Sequence, residues 1–108
     1  MVSKYDLEIY AGDTFEISIR FLKENGEAYV LDPDGWSAQW RKYRDFEASI
    51  NFDIEINTDE NRLTIKADPS KTREMNNGNW DLQHEDSNGV IKTWLQGDVI
   101  WTNDITRV

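Results

Sequence analysis

Strict alternation of apolar and polar positions dominates this chain. Tyr5, Leu7 and Ile9 alternate with Asp6 and Glu8, and Phe15, Ile17, Ile19 and Phe21 alternate with Glu16, Ser18 and Arg20. Successive side chains of an extended strand point to opposite sides, so each run predicts a half-buried strand. Asn25-Gly26, a dipeptide suited to positive φ at both central turn positions, predicts a hairpin into a short strand over 29–31. "DPDG" at 32–35 predicts a turn, after which Trp36, Ala38 and Trp40 point inward and Gln39, Arg41 and Tyr43 outward. From Phe46 to Ile56 every even residue is apolar, which predicts one long strand. "TDEN" turns the chain, and Leu63, Ile65 and Ala67 face inward on the way back.

One segment breaks the alternation. In "DPSKTREM", Asp68 suits a helix N-cap and Pro69 the first helical position, which predicts a short helical crossover. "NWDLQHEDSNGVIKTWLQG", residues 79–97, then predicts a hairpin. With Asn88-Gly89 as a two-residue turn, Glu85 faces Lys92, Leu82 faces Leu95 and Trp80 faces Gly97. Trp80, Leu82, His84, Ile91 and Leu95 then form the core face, and Asp81, Gln83, Glu85, Lys92, Trp94 and Gln96 the opposite one; a three-residue loop would invert the relation. "DVIWTNDITRV" supplies the last strands. About eight strands at short, regular spacing predict an all-β fold, an antiparallel sandwich or a small barrel.

The 108 residues suffice for one hydrophobic core, so 1–108 is read as a single domain. Aromatic residues are 12% of the chain against 38% hydrophobic in all, so a few large rings supply much of the burial. The formal net charge of −9, with basic residues dispersed, repels phosphate backbones and argues against nucleic acid or an anionic membrane as partner. Without cysteine there is neither a disulfide nor a thiolate metal site. No run of about 18 apolar residues and no export signal is present, so a soluble chain is expected.

Candidate chemistry is sparse. His84 is the sole histidine, and a structural or solvated role is expected of it. "DPDG" resembles the start of an oxygen-ligand calcium loop, but the required glutamate register runs into "WSAQWRKY", so a plain turn is expected. The dispersed carboxylates define no acid–base pair, and no nucleophile motif or phosphate loop occurs. The expectation is no enzyme, no metal and no cofactor. "ITRV" at 105–108 fits the Thr-x-Val pattern of captured C-terminal peptides or the end of a strand. Trp94 is the odd member of a polar face: either an adjacent loop or the second sheet covers it, or it is a contact residue. Trp94, Tyr43, Arg41, Gln39, Gln83 and Gln96 are therefore the candidate interaction residues. In a carbohydrate-binding module, Trp94 and Tyr43 would stack on sugar rings while Gln39 and Gln96 donate hydrogen bonds.

Two long stretches carry a family resemblance. "AGDTFEISIRFLKENGEAYVLDPDGWSAQWRK" is similar to the opening, and "GNWDLQHEDSNGVIKTWLQGDVIWTNDITR" to the close, of small domains in tailed-phage structural proteins. The shared features are a Gly-Asp start, a glycine hairpin, an aromatic-Asp-Leu-Gln strand, an "L-x-G" corner and a final Asp-x-Thr-Arg. "LDPDGW" departs from the more compact turn of that pattern. The resemblance, to the lower tail fibre and baseplate upper protein type, implies an immunoglobulin-like β-sandwich and a non-enzymatic virion component made in the host bacterial cytoplasm. It implies other virion structural proteins as partners, often with several copies of the domain; a host glycan is the partner under the carbohydrate-binding alternative.

Overall fold

The computed structural model describes residues 3–21, 25–27, 31–42 and 45–103, with the backbone alone over 45–48. The strand expected over 29–30, the side chains of Tyr43, Phe46 and Ala48, and the C-terminal "ITRV" lie outside the described residues. Among those described are nine strands and one short helix. They run β1 (Ser3–Lys4), β2 (Leu7–Tyr10), β3 (Phe15–Ile19), β4 (Trp36–Lys42), β5 (Asp45–Asn51), β6 (Asp53–Asn57), β7 (Arg62–Ala67), α1 (Pro69–Glu74), β8 (Gly78–Glu85) and β9 (Ile91–Thr102).

Two sheets pack face to face as an all-β sandwich. The larger has the order β1-β9-β8-β4-β5, with β2 also on β9; the smaller is β3-β7-β6. Leu7, Ile9, Ala38, Trp40, Trp80, Leu82, Leu95 and Val99 of the larger sheet meet Leu63, Ile65 and Ala67 of the smaller one in a common buried core. Phe52 bridges the layers, 6.0 Å from Phe15 and 6.5 Å from Trp80 between ring centroids.

Three expectations change. The N-terminal strands lie parallel to β9, so the larger sheet is mixed rather than wholly antiparallel. The long strand expected over 46–56 is two strands: the chain leaves the larger sheet after Asn51 and enters the smaller one at Asp53. Phe52, 5% exposed at the corner, keeps the alternation in phase through the switch, and so the pattern hides it. Of the Asn25-Gly26 pair, Gly26 alone takes positive φ (86°), with Asn25 Oδ1 accepting from Glu27 N in an Asx turn.

Crossings between layers are fixed by polar groups. Asp68 caps α1, its Oδ1 accepting from Lys71 N (3.0 Å) and Ser70 Oγ (2.7 Å), and these bonds hold its carboxyl below the usual range. Thr72 is fully buried; its Oγ1 donates to Asp13 O (2.8 Å) and accepts from Gly12 N (3.1 Å), tying the β2–β3 loop to α1. Trp80 Nε1 donates to Tyr5 O (2.6 Å) across Gly97, where a Cβ would collide with that carbonyl.

Candidate functional site

Parity and register build a polar field on the outer face of the larger sheet. Odd residues of β4 and β8 and even residues at the far end of β9 point away from the core. Pairing then aligns them: Asn51 opposes Gln39, Gln39 opposes Asp81, and Asp81 opposes Gln96, a single row across four strands. In the next row Arg41 opposes Asn79, and Asn79 opposes Asp98.

These rows line a shallow groove of about 440 Å³ walled by Gln39, Arg41, Asn79, Asp81, Gln83 and Gln96, with Lys42 and Trp80 completing the lining. Its bonding is ordered on one side. Arg41 Nε donates to Gln39 Oε1 (2.9 Å), and Gln39 Nε2 donates to Asn51 Oδ1 (3.0 Å). Asn79 Nδ2 donates to Asp98 Oδ1 at 3.0 Å. Asp81 differs. Partial burial pushes its carboxyl up from the usual range, against the opposing pull of Arg41. Among the described residues no hydrogen bond or close ion pair holds that carboxylate.

Of the six residues expected to make contacts, Gln39, Arg41, Gln83 and Gln96 come together in this groove. Tyr43 lies outside the described residues. Trp94 does not belong to the outer face. Asp86 and Val90 close a three-residue loop, Asp86 N donating to Val90 O and Gly89 N to Asp86 O, with Gly89 at φ 80°. The loop shifts the register by one: His84 opposes Lys92 and Glu85 opposes Ile91, so the expected Glu85–Lys92 pairing does not occur. A bulge between Leu82 and Gln83 restores the original register at Leu82–Leu95. Trp94 takes up the extra residue and turns inward beside Leu95, packed against Phe21 (5.0 Å) and Trp36 (5.4 Å). Ile91, expected in the core, is 61% exposed instead.

Of the structural and solvated roles expected for His84, its contacts fit the structural one. Its ring lies 4.6 Å from that of Trp36, and Nε2 sits 3.2 Å from Asp32 Oδ2 and 3.1 Å from Asp34 O. Both neighbours are acceptors, so Nε2 carries the proton and clips the "DPDG" turn to β8. The carbonyl of Gly35, just before β4, accepts from Glu85 N at 2.9 Å, and its φ of 91° needs glycine. Among the described residues no three His, Cys, Asp or Glu side chains are grouped to hold a metal ion.

Asp81 and Asn79 were not singled out by the sequence. The available signal was their odd parity with Gln83 in "NWDLQ"; the missing information was the register with β4, which brings Gln39 and Arg41 alongside. The chain matches no model of a known protein family and no curated protein sequence.

Proposed function

We propose that the chain is a non-enzymatic structural component of a phage or prophage virion, associated with the tail, baseplate or fibre and working through protein–protein contacts. Its partners in this reading are other virion structural proteins or further copies of itself. The order and spacing of turns and strands supports the reading through the resemblance to tailed-phage domains.

The observation that carries a protein contact is the apolar margin of the larger sheet. β2 is an edge strand among the described elements, paired with β9 alone. There Tyr10 and Ile100 project outward, each 50% exposed, and Tyr5 is 49% exposed just before the strand. Large rings beside backbone groups that no described strand pairs supply both the area and the hydrogen bonds of an edge contact. The test is mass spectrometry of purified virions from the source phage, made with the wild-type chain and with the Tyr10→Ser/Ile100→Ser variant. Stoichiometric wild-type chain and depleted variant are expected. A wild-type chain absent from virions and strictly monomeric by light scattering contradicts the reading.

The carbohydrate-binding alternative loses Trp94 as a stacking platform, because that ring faces the core.

A further inference from the structure

We propose that the outer groove binds a neutral oligosaccharide through its hydroxyl groups, with Asp81 as the anchoring residue. This goes beyond the virion reading and stands separately from it, since a structural protein with or without a glycan site would be found in the particle alike.

The chemistry of the wall selects the ligand. Gln39, Arg41, Asn79, Asp81, Gln83 and Gln96 line the groove, and each ends in a planar group presenting two or more polar atoms in a fork. Such forks match a pair of adjacent ring hydroxyls, which donate and accept at once. The forks come from strands ~4.8 Å apart, a spacing comparable with one sugar ring, so successive rings can meet successive strands. The volume, about 440 Å³, falls within the ~300–1,000 Å³ of small-ligand sites.

Other ligand classes fit less well. Among the described residues Trp80 is the sole aromatic in the lining and is 2% exposed, so these residues offer an apolar ligand no surface. Asp81 in the middle of the row and the chain's net charge of −9 disfavour an anion, and Arg41 with Lys42 at one end disfavours a cation. The wall therefore matches a molecule that is uncharged yet rich in hydroxyls.

Asp81 is the anchor by position. It stands between Gln39 and Gln96 in register, is half-buried, and accepts from no described residue, while Arg41, Gln39 and Asn51 are engaged in a chain of their own. Two hydroxyls donated to that carboxylate form charge-assisted bonds, and Gln83 and Gln96 are placed to fix the neighbouring ring.

The test is an NMR titration of the full ¹⁵N-labelled chain with maltohexaose, cellohexaose, mannohexaose, galactohexaose and N-acetylchitohexaose, with hexagalacturonate as the anionic counterpart. The expected result is saturable shifts at the side-chain amides of Gln39, Gln83 and Gln96 with at least one neutral hexamer. Asp81→Asn and Gln83→Ala should each weaken binding at least tenfold, while Glu55→Gln on the opposite sheet leaves it unchanged. The spectrum itself reports whether each variant is folded. No response to any neutral hexamer, stronger binding of hexagalacturonate, or equal binding by folded Asp81→Asn and Gln83→Ala would overturn the proposal.

Discussion

Trp94 and Trp36 lie with their ring centroids 5.4 Å apart on the core side of the larger sheet. The contact exists because the β9 bulge turns Trp94 inward beside Leu95 instead of leaving it among the outer polar residues. With Phe21 it closes one end of the sandwich, where Phe21 and Trp36 stack at 6.0 Å.

Trp94→Ala is therefore a stability variant. Truncating a packed aromatic costs about 3 kcal/mol, which lowers Tm by well over ~5 °C in a domain of this size. Thermal unfolding followed by circular dichroism checks this, and an unchanged Tm would return Trp94 to the surface.

Thr72 makes a different contribution. Thr72→Val keeps the shape but removes the hydroxyl that serves Asp13 O and Gly12 N, leaving both groups short of a partner. The expected loss is about 1–3 kcal/mol in chemical denaturation, with an unchanged slope.

Asp81 predicts a pH effect of defined sign. Its carboxyl is raised above 3.8 by burial, so the folded state holds the proton more tightly than the unfolded chain. The stabilisation belongs to the protonated form, is fully present below 3.8, and is lost as pH rises through the elevated folded value. Asp81→Asn should consequently melt higher than the wild type at pH 7, with the gap closing as pH falls to the ordinary carboxylate value. Asp68 has the opposite sign: its carboxyl is lowered by Ser70 and Lys71, and its contribution disappears as pH falls through the depressed value. Asp68→Ala should melt lower at neutral pH and converge with the wild type in acid.

Gly97→Ala tests the parallel N-terminal strand. A Cβ there would collide with Tyr5 O and crowd Asp6 Oδ1, which accepts from Asp98 N. Hydrogen exchange should accelerate over residues 3–10 while β4 and β8 stay protected.

Period-two alternation made most of the layered fold legible, because each strand has one dry face. It placed Leu63, Ile65, Ala67, Trp80 and Leu82 in the core, and Asp68-Pro69 at the helix start. Alternation carries no information about which sheet a strand joins, and so the switch at Phe52 went unseen. It also fails where a residue is inserted. Asp86 was the local sign of a three-residue loop, since its Oδ1 accepts from Asn88 N and Val90 N. The bulge at Trp94 had no such sign; it compensates a register shift and is visible only once both strands are paired. For the same reason the groove was half legible: the outward residues could be named, but their alignment with Asp81 depends on long-range register.

The most direct measurement of the proposed function compares hydrogen exchange of the isolated chain with that of the chain in purified virions. Assembly through the β2 margin predicts added protection over Leu7–Tyr10 and the segment of β9 around Ile100, with the buried core strand β7 unchanged. Identical exchange at that margin in the two states, or virions from which the chain is missing, would contradict the account.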